Sequence, residues 1–221
     1  GQLPPDPLMP PPAPPALFQD FAQPGTPFNL TSFGAVPASV ETCGSGNFLR
    51  LANQDYDNLN TIEFDLTAPG RYSQVVAEFD FRMIPGDFSR ADGLSFALLG
   101  TCISPAGSVV LSEEPNVVGS FGVSFDIYQN EWDPNNNHVS LHFNGEEKAA
   151  FPFDITTLDL ADGQFHHARV TIDFSSAGAS ISVSLDGVFT PVANYLIAGM
   201  SPYESRVAFG ARTGGEFAHH D

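Results

Sequence analysis

Lysine is nearly missing from this 221-residue sequence. Lys148 is the only one, and lysine plus arginine total 8 against 26 aspartates and glutamates, a formal charge of −18. A chain so short of cations repels phosphate backbones and anionic lipid, which excludes nucleic acid and charged membrane surfaces as partners. Long apolar runs are missing too. Stretches such as Leu94 to Gly100 fall far short of the roughly 20 residues that span a bilayer, so no membrane span is expected. No segment free of Gly and Pro keeps a 3.6-residue period, so almost no helix is expected. Apolar residues are not scarce: 42% of the chain is hydrophobic and 20 residues are Phe, enough for a sizeable core in one domain.

Only two cysteines occur, Cys43 and Cys102. An even count reads either as one disulfide in a secreted protein or as two separate thiols. Asn29-Leu30-Thr31 is an N-glycosylation sequon, meaningful only outside the cell. Scarce lysine, high acidity and the sequon together favour an extracellular protein with a Cys43–Cys102 disulfide and a glycan at Asn29. The sequence opens on Gly1 rather than Met and shows no signal peptide, as in a processed chain or one that starts partway along a longer protein.

Residues 1–16 hold eight prolines, Pro4, Pro5, Pro7, Pro10, Pro11, Pro12, Pro14 and Pro15. They predict an extended polyproline arm over 1–27, with Leu17 to Phe21 as a short strand beside it. From Phe28 to Asp221 the pattern is strands separated by Gly- and Pro-rich turns. In Gln74 to Met83, Val75, Ala77, Phe79, Phe81 and Met83 share one parity and Val76, Glu78, Asp80 and Arg82 the other, a half-buried strand. Further strands are read at 47–52, 61–66, 91–100, 120–128, 139–143, 168–174, 180–185 and 206–211, with turns at Ser175 to Gly178 and Asp186-Gly187. Ten or more strands at this spacing make a sandwich or barrel.

The chemistry concentrates where a strand ends at Asp126 and an Asn-rich loop runs through Tyr128, Asn130, Asp133 and His138. Asp126, Asn130, Asp133 and the Tyr128 carbonyl are hard oxygen donors from one short loop, the ligand set that Ca2+ takes, with water completing its shell.

This stretch resembles the metal-binding signature of legume-type (L-type) lectins: a strand ending in aspartate, an aromatic, an asparagine, Trp-Asp-Pro and a histidine. Three more segments match in order. They are Ala91-Asp92-Gly93-Leu94-Ser95-Phe96; Gln164 to Val170 with Ser182 to Leu185; and Ala211 to Asp221. The resemblance covers residues 28–221 and implies an all-β, concanavalin A-like jelly-roll sandwich of two antiparallel sheets. It implies Ca2+ on Asp126, Tyr128 (carbonyl), Asn130 and Asp133. A neighbouring transition-metal site would use Asp126, Asp133 and His138, and is expected to be weak or absent because Ser124 stands where the family has a glutamate. It places sugar binding at Asp92, Asn130, the Tyr128 ring, the backbone near Gly215 and Glu216, and a loop glycine for which Gly119 is the candidate. It implies a cis Ala91-Asp92 bond.

Catalysis is not expected. The glycosidases that share this sandwich carry two glutamates in the strand, whereas Ser124-Phe125-Asp126-Ile127-Tyr128-Gln129 has neither in frame and Glu131 falls in the loop. His166-His167 and His219-His220 are adjacent pairs that point to opposite faces of a strand, so joint metal binding is not expected. The family continues past the late loop into a final strand, which this sequence is expected to lack. The favoured reading is a non-catalytic, Ca2+-dependent glycan-binding domain outside the cell. Its rival is an extracellular filament or cell-wall subunit, assembled by the 1–27 arm adding to a neighbouring copy.

Overall fold

The computed structural model describes residues 15–44 and 46–221, and the proline-rich stretch up to Pro14 lies outside them. Among the described residues there are fifteen strands and no helix: β1 (Phe28–Phe33), β2 (Ser39–Cys43), β3 (Gly46–Arg50), β4 (Leu59–Phe64), β5 (Gln74–Phe81), β6 (Met83–Pro85), β7 (Gly93–Gly100), β8 (Phe121–Asp126), β9 (His138–Phe143), β10 (Glu146–Pro152), β11 (His166–Ser175), β12 (Gly178–Leu185), β13 (Phe189–Ala198), β14 (Ser205–Arg212) and β15 (Ala218–His220).

Two antiparallel sheets form the sandwich. The front sheet has the order β1-β4-β14-β7-β8-β9-β10 and the back sheet β13-β12-β11-β5. Side-chain parity builds the core. Phe79 of β5 meets Phe96, Phe209 and Phe125 of the front sheet at 5.5, 4.9 and 5.9 Å between ring centres. These rings, with Leu94, Leu98, Val123, Leu141, Val170, Ile172, Ile181 and Val183, fill the space between the layers. The turn at Asp186-Gly187 has φ of 55° and 68°, a left-handed pair closed by the Val188 N–H donating to the Leu185 carbonyl at 3.2 Å.

β7, β8 and β9 are buried on both faces: β7 reads as an apolar run, whereas β8 and β9 send Phe121, Val123, Phe125, Val139 and Leu141 to the core and bury small or polar residues on the other face. The core covers one face. The connection between β7 and β8 crosses the other. The Leu111 N–H donates to Thr61 Oγ1 at 2.8 Å, Ser95 Oγ donates to the Ser112 carbonyl at 2.6 Å, and Asn116 Oδ1 meets His142 Nδ1 at 2.8 Å. The residues beneath this crossing loop are small. Gly210, Ser95, Ser124 and Ser140 stand in one register row across β14, β7, β8 and β9. A side chain at Gly210 would run into Leu111, and one at Gly122 into Pro115.

Three expectations change. Leu17 to Phe21 is not a strand. Phe21 packs edge-on to Phe28 at 5.7 Å and its carbonyl accepts from Asn47 Nδ2 at 2.8 Å, so the segment proposed for donation lies against its own sandwich. Cys43 ends the β2–β3 hairpin and Cys102 follows β7. Both are exposed free thiols on separate elements, and the disulfide is not formed. The late loop does not run on to Asp221, because Ala218–His220 already pairs with β6. The Asp221 carboxylate holds Arg50 at 2.7 Å and Arg82 at 2.6 Å.

Candidate metal and ligand site

One rim of the front sheet carries the site. Arg212, Gly93, Asp126 and His138 form the register row next to the serine row, all on the face turned away from the core. The loop 127–137 folds back over this rim. Asp133 Oδ2 accepts the Asn130 N–H at 2.7 Å and Asn130 Nδ2 at 2.9 Å, which turns Asp133 inward. The outcome is a cluster of Asp126, Asp133 and His138 whose ligand atoms lie within 4.8 Å of one another, all three buried.

Each member is set by its surroundings. Asp126 is 1% exposed; Oδ1 accepts the Tyr128 N–H at 2.8 Å, whereas Oδ2 is buried with no partner. Burial pushes its carboxyl up to about 9, the Tyr128 N–H opposes this, and Asp133, Glu113 and Glu114 add to it. A buried carboxylate oxygen without a donor calls for a proton or a cation. His138 Nδ1 lies 3.0 Å from the Asn135 carbonyl, so Nδ1 carries the hydrogen and Nε2 keeps its lone pair free. Burial holds this imidazole below its ordinary value. The two carboxylates and the imidazole brought together here therefore fit a divalent cation.

Asp92 sits at the start of β7, beside this cluster. The Ala91-Asp92 bond is cis, as the resemblance implied. The Asp92 carbonyl accepts the Ile127 N–H at 3.0 Å, joining it to the metal loop. Asp92 is 6% exposed, and burial raises its carboxyl to about 6, against the pull of Arg212. The loop after β14 adjoins it: a side chain at Gly214 would lie 3.3 Å from Asp92 Oδ2, and Glu216 adds to the field on Asp92. Gly215 is open to solvent, with nothing near its missing Cβ.

Gly119 does not belong here. It precedes the first residue of β8, while Asp126 is the last, so the length of the strand separates them. Its N–H is taken by Asn144 Oδ1 at 2.9 Å, and it lines a separate cleft of about 370 Å³ with Arg71, Ile103 and Tyr203. The histidine pairs split as expected: His166 is buried between Asp186 and Asp162, and His167 is exposed beside Asp80.

Three residues at the site escaped sequence reasoning. Arg90 donates to the carbonyls of Ile127 and Asn136, both at 3.2 Å, and so grips both ends of the loop. Glu113, from the crossing loop, accepts from Arg212 Nη1 at 3.0 Å. Arg212 Nε stands 3.5 Å from Asp92 Oδ2. The relevant signal for Glu113 was the pair Glu113-Glu114 in an otherwise uncharged connection, which has no meaning until that connection is known to cross the front sheet.

No protein-family model matches the chain. A curated lectin of Glycine max is 32% identical over 114 residues, 49% of this chain and 38% of the relative. A nodule lectin of Pisum sativum is 25% identical over 125 residues, 54% of this chain and 44% of the relative. The matches thus span less than half of each relative. Among solved structures, lectin UEA-II complexed with galactose superposes with a TM-score of 0.61 at 16% identity, covering 87% of this chain and 89% of that one. The VIP36 exoplasmic/lumenal domain in its Ca2+/Man3GlcNAc-bound form gives 0.60 at 16% identity, covering 88% and 82%. The chain has the L-type lectin-like, concanavalin A-like fold.

Proposed function

From that fold, we propose that this chain is a non-catalytic carbohydrate-binding domain that works outside the cell and depends on Ca2+. The observation that carries the reading is the cluster of Asp126, Asp133 and His138, with a buried, unpartnered Asp126 oxygen, set beside Asp92. In this reading Ca2+ takes Asp126, the Tyr128 carbonyl, Asn130 and Asp133. The second position, at Asp126, Asp133 and His138, is weak for a transition metal because Ser124 offers no carboxylate. The bound cation supplies fixed positive charge that holds the loop closed and neutralises the rim.

The sugar would lie between Asp92 and the loop. Asp92 accepts from one hydroxyl, the Asn130 side chain meets a neighbouring one, the Tyr128 ring covers an apolar sugar face, and the backbone at Gly215 and Glu216 closes the far side. Arg212 beside Asp92 adds a donor to this cleft. The relatives named lectins and the galactose- and Man3GlcNAc-bound neighbours support the glycan class.

The test is a broad glycan array probed with the described domain in Ca2+ and again with chelator. Retention that chelator abolishes and that Asp92→Ala removes is expected. An array blank in both conditions overturns the reading. Extracellular location predicts a glycan at Asn29, which is exposed on edge strand β1. Chain secreted from eukaryotic cells should lose mass on treatment with an N-glycan amidase, and an unchanged mass would remove the sequon from the account.

A further inference from the structure

We propose that Glu113 is a ligand of the divalent cation at Asp126 and Asp133, returning from the crossing loop the carboxylate that β8 lacks at Ser124. This rests on the cation reading above and extends it to a residue that the lectin signature does not contain.

The geometry begins with the serine row. Ser124 stands between Ser95 and Ser140, and the Ser95 hydroxyl holds the Ser112 carbonyl above this row. The loop therefore occupies the space that a long side chain at 124 would need. Ser124 Oγ is buried and bonds nothing, so the serine serves as clearance rather than as a donor. The residue after Ser112 is Glu113, and it turns toward the rim row. A side chain at Gly93 would meet the Asp126 Cα at 3.1 Å and the Glu113 Cβ at 3.3 Å. The glycine at 93 leaves room for Glu113 to pack beside the Asp126 backbone.

Glu113 is 2% exposed, and only one of its oxygens is used. Oε1 accepts from Arg212 Nη1, while Oε2 is buried with no partner. Asp126 Oδ2 and Asp92 Oδ2 are in the same condition, so three buried carboxylates on adjoining backbone each leave one oxygen without a donor. Three buried carboxyl groups, each with an oxygen that meets no donor, call for protons or for a counter-charge. Arg212 supplies one positive charge, to Glu113 Oε1 and, at longer range, to Asp92. Asp126 and Glu113 Oε2 remain. A hard divalent ion that accepts carboxylates mono- or bidentately satisfies both.

The experiment is calorimetric titration of Ca2+ and Mn2+ into chelator-treated wild type, Glu113→Gln and Arg212→Gln. Expected is a loss of affinity of about tenfold or more in Glu113→Gln, with Arg212→Gln binding as well as wild type or more tightly, since it frees Oε1. Wild type that binds neither ion overturns both this proposal and the cation reading. Wild type that binds while Glu113→Gln stays within twofold overturns this proposal alone. Equal losses in the two variants also overturn it, because Glu113 would then act only as the partner of Arg212. Should Glu113→Gln fail to fold, a Mn2+-loaded wild-type crystal decides by anomalous scattering. A Glu113 oxygen within roughly 2.6 Å of the ion supports ligation, and an ion without one refutes it.

Discussion

Arg90 and Asn137 meet at 3.1 Å, guanidinium to side-chain carbonyl, and this contact ties the end of the metal loop to the entry of β7. Asn137 is wholly buried and fully used. Its carbonyl oxygen also accepts the Leu160 N–H at 3.0 Å, and its amide donates to the carbonyls of Leu158 at 2.8 Å and Phe153 at 3.3 Å. Asn137→Ala strands those partners in the interior and should cost about 3 kcal/mol by denaturant unfolding. A loss under 1 kcal/mol would show that water replaces the amide.

A second prediction concerns pH. The folded carboxyl of Asp126, raised to about 9 from its ordinary 3.8, keeps its proton where the unfolded chain has lost it. The unfolded state then binds fewer protons, so stability falls as pH rises between those values, by at most about 1.4 kcal/mol per pH unit. Asp92, raised to about 6, acts the same way up to that pH. His142, pushed down to about 4 by burial and His138, and His220, pushed down to about 3 by burial, act oppositely. Their stabilisation is complete above 6.5 and fades as pH falls through the range below. The two sets oppose each other below 6.5, and above it Asp126 dominates. Cation-free protein should therefore melt at lower temperature at pH 8.5 than at pH 6.5, and saturating Ca2+ should remove most of that difference. A melting temperature that Ca2+ leaves unmoved at pH 8.5 would contradict cation binding at Asp126.

A third lies at the other end of the same sheet face. Arg206 Nε holds Glu63 Oε1 at 2.6 Å, its terminal nitrogen donates to the Ser104 carbonyl, and Glu63 Oε2 accepts the Gly107 N–H at 3.1 Å. Both side chains are buried. Glu63→Ala leaves a cation without its counter-charge and should destabilise by about 3–5 kcal/mol. Glu63→Met with Arg206→Met should recover much of that loss, measured by the same unfolding curves.

A fourth follows from the cysteines. Cys43 and Cys102 are exposed free thiols on separate elements. Two equivalents of thiol per chain should react with a disulfide reagent under native, non-reducing conditions. Zero equivalents before denaturation and reduction would restore the disulfide.

Much of this was legible in the sequence, and the reason is physical. Hard-oxygen donors within one loop need only local chain to come together, so Asp126, Asn130 and Asp133 stood out from their spacing, whereas His138 entered through the resemblance. Strands with one wet face, such as β5 and β12, show their alternation openly. The edge strands β10 and β13 do not, since their burial is irregular and β13 carries Pro191 in its interior, tolerated at an edge. Glu113, Arg212 and the true position of Gly119 depend on which way one long connection crosses the sheet. No periodicity records that. The disulfide inference used an even cysteine count, and counting carries no distance.

Trp132 lies between Asn130 and Asp133, 72% exposed, and it is the sole tryptophan in the sequence. All indole emission from this protein therefore originates within the 127–137 loop. The chain carries its own optical reporter there. Cation titration can be followed by the wavelength and quenching of that one fluorophore, with no label and no background from elsewhere in the fold.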